Sequence, residues 1–159
     1  MTRIAKLFIL FSLISSNAYA GPNNSDVVEP VDGEATLIIY RTKIKGILIQ
    51  PMRRSYPDLI LDGSSVGVLK YKKHRIIPIK AGKHHLKVTG LTDKAKWDQR
   101  DKELAFNINP GETKYLKINI QYDIDEMNKL TTMNKRAVYI TPVDADDAVY
   151  EVRDTKEVK

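Results

Sequence analysis

From Ala35 onward the chain is a series of short runs rich in Ile, Val, Leu and Tyr, each closed within a few residues by Gly, Pro, Asp or Asn. Runs of this length and composition predict β-strands rather than helices. Residues 35–41 are apolar on both alternating sets, Leu37 with Ile39 and Ile38 with Tyr40, which predicts a strand covered on both faces. Residues 44–50 continue in the same manner, with Gly46 permitting a bend, and Pro51 ends them. Asp62-Gly63 suits the positive φ values of a tight turn and predicts a hairpin between residues 58–61 and 66–71.

Two further hairpins are predicted. In the first, residues 74–80 turn through Ala81-Gly82 into residues 83–89, so that Ile79 opposes His84 and Ile77 opposes Leu86. That register puts Ile77, Ile79, His84, Leu86 and Val88 on one face and Ile76, Pro78, His85 and Lys87 on the other. In the second, Pro110-Gly111 joins residues 103–109 to residues 112–122, where Leu116, Ile118, Ile120 and Tyr122 form the core-facing set. The charged stretch around Trp97, residues 90–102, is a loop, and residues 123–136 leave room for a short helix over 124–130. Residues 137–143 predict a last strand, after which Asp144 caps a helical turn through Val152. Eight or nine strands without alternating helices predict a mainly β chain: a single antiparallel, immunoglobulin-like sandwich with a short C-terminal helical turn. A small β-barrel is the alternative.

The N-terminus has a different texture. Arg3 and Lys6 precede an apolar run, residues 7–14, and a small-residue site, Ala18-Tyr19-Ala20, before Gly21. This is the pattern of a secretory signal peptide cleaved after Ala20, and its apolar run falls short of the roughly 20 residues that cross a bilayer. The expected organisation is a signal peptide over 1–20, a flexible leader over 21–33, a β domain over 34–143, and a short helix with an acidic tail over 144–159. The expected address is periplasmic or secreted. With no cysteine in the chain, neither disulfides nor a lipid anchor on cysteine are expected, and no transmembrane anchor is expected either.

Charge changes the picture by its distribution more than by its sum of +6. Residues 41–87 hold twelve Lys or Arg against Asp58 and Asp62, whereas residues 21–40 hold four acids and no base. The densest part is Lys70-Tyr71-Lys72-Lys73-His74-Arg75, joined by Arg53 and Arg54 in the loop around Pro51 and Tyr56. Arg53, Arg54, Lys70, Lys72, Lys73 and Arg75 are therefore the candidate ligand-binding face, since such groups recognise phosphates and carboxylates by charge-assisted hydrogen bonds. The ordinary alternative is a solvated strand surface whose lysines guard exposed edges.

Candidate catalytic chemistry is sparse. His84 and His85 are neighbours on one strand and point to opposite faces, so they cannot chelate one ion, and His84 reads as a turn-supporting residue. The mature serines, Ser25, Ser55, Ser64 and Ser65, carry no nucleophile-elbow pattern, and the acids at 123–126 and 144–147 lack the glycine and glutamate of a calcium loop. No catalytic residue, metal ligand or cofactor is assigned.

Four segments also carry a resemblance: Ala35-Thr36-Leu37-Ile38-Ile39-Tyr40-Arg41; Leu59-Ile60-Leu61-Asp62-Gly63-Ser64-Ser65-Val66-Gly67; Ala81-Gly82-Lys83-His84-His85-Leu86; and Pro110-Gly111-Glu112-Thr113-Lys114-Tyr115-Leu116. In this order the chain resembles a bacterial domain-of-unknown-function family of short exported proteins and lipoproteins, related in style to PEGA β-sandwich repeats. The resemblance implies a small antiparallel sandwich at the cell envelope, with no activity attached. The chain departs from such relatives in lacking a lipid-acceptor cysteine and in its basic strip. The function expected is non-enzymatic: binding or scaffolding another envelope component, either a protein or an anionic polymer, through a basic face or a sheet edge. A polyanion or lipid-headgroup binder is one alternative, a hydrolase or hydrolase inhibitor acting on glycan or peptide another. Nucleic acid would satisfy the charge, but the export signal argues against it.

Overall fold

A computed structural model describes residues 33–43, 52–122 and 136–158. In chain order the elements are β1 (Glu34–Arg41), β2 (Asp58–Leu61), β3 (Ser64–Val68), β4 (Lys73–Lys80), β5 (Gly82–Thr89), β6 (Lys102–Ile108), β7 (Thr113–Tyr122), β8 (Arg136–Val143), α1 (Ala145–Arg153) and β9 (Lys156–Glu157). The protein is mainly β, with two sheets ordered β8-β7-β1-β4-β9 and β3-β2-β5-β6. Among the described residues neither sheet closes into a barrel.

The doubly apolar segment became the central strand. β1 pairs antiparallel with β4 along its whole length, from Glu34 opposite Lys80 to Arg41 opposite Lys73, and parallel with β7 on its other side. Its inner set, Leu37 and Ile39, joins one core cluster with Leu59 and Leu61 of β2, Leu86 and Val88 of β5, and Leu116 and Ile118 of β7. On the opposite face the Tyr40 hydroxyl donates to Glu151 Oε2 of α1 at 2.7 Å, and Ala148 of α1 is fully buried. Burial and the Glu151 carboxylate push the Tyr40 phenol far above its ordinary pKa, so it acts as a fixed donor.

Only one of the three predicted hairpins is a hairpin. β2 and β3 pair across Asp62-Gly63, both with positive φ, at 49° and 83°. β4 and β5 do not pair: β4 lies beside β1, while β5 lies between β2 and β6 in the other sheet. The Pro110-Gly111 turn likewise carries the chain from β6 in one sheet to β7 in the other. A glycine with positive φ, Gly82 at 137° or Gly111 at 74°, serves a corner between sheets as well as a hairpin. Crossing over brings both apolar faces to one core, as Ile77 and Ile79 of β4 and Leu86 and Val88 of β5 show. The expectation of a wholly antiparallel sheet is also corrected, because β1 with β7 and β4 with β9 run parallel. Parallel neighbours need a long connection, and the second sheet supplies it between β1 and β7.

After α1, which Asp144 precedes in an extended conformation without a side-chain cap, the tail adds β9 to the edge of β4. The signal segment, the leader up to residue 32, the strand expected over 44–50 and the helix expected over 124–130 lie outside the described residues. Among the described residues no helix is long and apolar enough to cross a membrane.

A basic groove as candidate functional site

The first wall is the turn carrying Arg53 and Arg54. It is held from beneath by Arg41, the last residue of β1, which is 1% exposed. Arg41 donates from Nη1 to the Ser55 carbonyl at 2.6 Å and from Nη2 to the Met52 carbonyl at 2.7 Å. The rings of Trp97 and Tyr71 face it at 5.5 and 6.0 Å. Burial lowers its pKa to about 10, which still leaves it charged at neutral pH. The charge is accommodated by carbonyl dipoles and π faces, and no carboxylate pairs with it among the described residues.

The second wall is the β3–β4 connection. Leu69 is fully buried and its N–H donates to the Pro57 carbonyl at 3.0 Å, which anchors the segment before Lys70. Lys70 Nζ stands over the Tyr56 ring at 5.4 Å. Lys72 takes a left-handed backbone, φ 55°, a conformation that costs a non-glycine residue roughly 1 kcal/mol.

The C-terminal tail makes the third wall. The Lys156 N–H donates to the Lys72 carbonyl at 3.0 Å and the Val158 N–H to the His74 carbonyl at 2.9 Å. The Thr155 hydroxyl donates to the Val152 carbonyl at 2.6 Å, so its oxygen receives the Nδ1–H of His74, also at 2.6 Å. Burial, aided by Lys73 and opposed by Glu157, lowers the His74 pKa and favours the neutral ring. Lys96 reaches the groove from the Trp97 loop, which is tied to the first wall by reciprocal backbone bonds between Tyr56 and Lys96 at 2.7 and 2.9 Å. Gly90 lets this loop close: a Cβ there would lie 2.2 Å from the Trp97 carbonyl oxygen.

The walls enclose an open trough of about 760 Å³. Of the sequence-derived residues, Arg53, Arg54, Lys70, Lys72 and Lys73 line it. Arg75 does not. Two residues further along β4, about 7 Å away, it lies over Gly67 and its Nε donates to the Val68 carbonyl at 3.3 Å. Sequence reasoning missed Lys96, Arg153 and Lys156, whose only signal was their charge. Among the described residues the trough holds eight cations and one carboxylate, Asp154. None of the eight is in an ion pair among the described residues.

The histidine at the predicted turn has a structural place instead. His84 Nδ1 lies 2.6 Å from Asp62 Oδ2 and its Nε2 lies 2.8 Å from the Lys80 carbonyl oxygen, while Asp62 Oδ1 accepts the His85 N–H. This clamp ties the β2–β3 turn to β5. Among the described residues no group of His, Asp and Glu could hold a metal ion, and the acids at 123–126 lie outside them. Comparison with protein-family models, with curated proteins and with solved structures finds no match to the chain.

Proposed function

We propose that the protein is an exported, non-enzymatic binding protein of the cell envelope that holds an anionic partner in the basic groove. The observation that carries this reading is the gathering, among the described residues, of eight cations from four separate chain segments around one trough with a single carboxylate. Like charges brought together repel, and a fold keeps such an arrangement at a cost in stability that a bound anion offsets. The core cluster, drawn from strands of both sheets, supports a β-sandwich as the scaffold, and the groove sits at one end of it. The secretory pattern of residues 1–20 supports a periplasmic or secreted address, so anionic envelope polymers and acidic envelope proteins are the partners available there.

The reading is tested by recovery of partners from a cell-envelope fraction on the immobilised chain. A Lys72→Glu/Lys73→Glu variant is compared with Lys80→Glu/Lys83→Glu, which changes net charge equally on residues outside the trough. Loss of the recovered component in the first variant alone is expected. Equal recovery by both rejects the groove as the binding surface.

A further inference from the structure

Resting on the reading of the groove as an anion site, we infer that its ligand is a linear polyanion, a chain of repeated phosphate or carboxylate groups, rather than one small anion or a lipid surface. Four observations point to a chain. Seven of the eight cations, all but Lys73, are exposed, so their charged heads stand in water along an open trough instead of converging inside an enclosed pocket. Small-molecule sites bury most of the ligand, and this one cannot. Five of the eight are lysines, flexible point charges that tolerate variable spacing, whereas fixed recognition of a single phosphate or carboxylate favours the arginine fork.

The helix nearest the groove presents the wrong pole for a discrete anion. Arg153 and Asp154 stand at the C-terminal end of α1, where the helix dipole is negative, so no backbone N–H cradle is offered there. Finally, the trough does not end at Lys72. Tyr71, Lys72, Arg153 and Asp154 also border a second depression of about 590 Å³, where Lys43 adds a further exposed cation. Lys117 and Glu151 also line it and offset one another as an ion pair at 2.6 Å, Glu151 accepting from Tyr40 as well. A path of cations running from Lys96 past Lys72 to Lys43 matches an extended chain and exceeds what one anionic group neutralises. Anionic bilayers present charge on a plane; here the cations line a concavity between the tail strand and the Tyr56 turn, which favours a thread over a sheet.

The test compares chain lengths on the unmodified mature protein, by equilibrium titration with orthophosphate, tripolyphosphate and long-chain polyphosphate, with galacturonate and polygalacturonate, and with phosphatidylglycerol vesicles. Long chains of both chemistries should bind at least about 100-fold more tightly per anionic group than their monomers, because tethered charges engage together. The logarithm of affinity should fall against that of salt concentration with a slope of about −3 or steeper, as four or more contacts at about −0.7 each require. Equal affinity per group for orthophosphate and polyphosphate overturns the inference in favour of a discrete site. Binding to vesicles without binding to soluble polymers overturns it in favour of a lipid surface. Both results leave the groove as the anion site, whereas no binding of any anion removes the underlying reading as well.

Discussion

Arg41 has a structural task that its residue type does not announce. Each of the two carbonyls it bonds belongs to the turn that displays Arg53 and Arg54, so one buried side chain fixes the first wall of the groove. Arg41→Met keeps most of the stem's packing but strands the Ser55 carbonyl and leaves that of Met52 with the Ser55 N–H alone, and should cost roughly 2–4 kcal/mol in urea unfolding. A loss under about 0.5 kcal/mol would mean the bonds contribute nothing net. Lys72 presents the opposite case, since its left-handed backbone is strained by its own Cβ. Lys72→Gly should stabilise the fold by up to about 1 kcal/mol while weakening anion binding, and a destabilised variant would contradict the strain.

The His84–Asp62 clamp gives a pH signature at the same scale. Burial alone lowers the His84 pKa, but its bonds to Asp62 and the Lys80 carbonyl outweigh this and raise it above its ordinary 6.5. Burial raises the Asp62 pKa, and the bonds from His84 and the His85 N–H outweigh it and hold the carboxyl below its ordinary 3.8. The histidine's share of stability is complete below its unfolded pKa and is lost as pH rises through the raised folded value. The carboxylate's share is complete above its unfolded pKa and is lost as pH falls through the lowered value. Both are present together between 3.8 and 6.5. The stability gap between the parent and His84→Gln should therefore be widest near about pH 5 and stay under about 1 kcal/mol, because the pair is partly exposed. A gap that is flat with pH would contradict the charged form of the clamp.

At the scale of elements, the two-residue strand β9 depends on contacts around it rather than on its length. Thr155 bridges His74 to the end of α1, and the Lys156 and Val158 amides complete the docking on β4. Thr155→Val removes both hydroxyl bonds, each worth about 1 kcal/mol net, and should speed hydrogen exchange at the Lys156 and Val158 amides. Unchanged protection there would show that the tail is held by other means. Strand faces were legible in the sequence because a period of two belongs to each strand by itself: Leu86 with Val88, and Leu116 with Ile118 and Ile120, are the buried sets. Pairing partners were legible only for β2 with β3, across Asp62-Gly63. Ala81-Gly82 and Pro110-Gly111 have the chemistry of tight turns, and nothing local distinguishes a turn back along the same sheet from a corner into the next one. β9 was illegible for a related reason, since its pairing is created by the position of β4's edge.

For the molecule as a whole, the groove was readable in part. The clustering of Lys70, Lys72 and Lys73 with Arg53 and Arg54 is a matter of counting, whereas Lys96, Arg153 and Lys156 join them only because the Tyr56–Lys96 bridge and the docked tail bring remote segments to one place. Arg75 shows the converse, a member of the basic run that the fold turns onto a neighbouring carbonyl. Burial of Arg41 could not be anticipated, because arginine is ordinarily a surface residue. The acid-rich tail, six acids against three bases from Asp144 onward, contributes Arg153 and Lys156 to the trough and only Asp154 against them, so its net charge conceals its local role.

That the groove is where an anion docks is tested most directly by mapping amide chemical shifts of the mature chain as long-chain polyphosphate is added. The changes should concentrate at Arg53 and Arg54, at Lys70 to Lys73, at Lys96 and at Arg153 to Lys156, and leave Lys80, Lys83 and Lys87 nearly still. Shifts spread evenly over all surface lysines, or centred on Lys80 and Lys83, would contradict it.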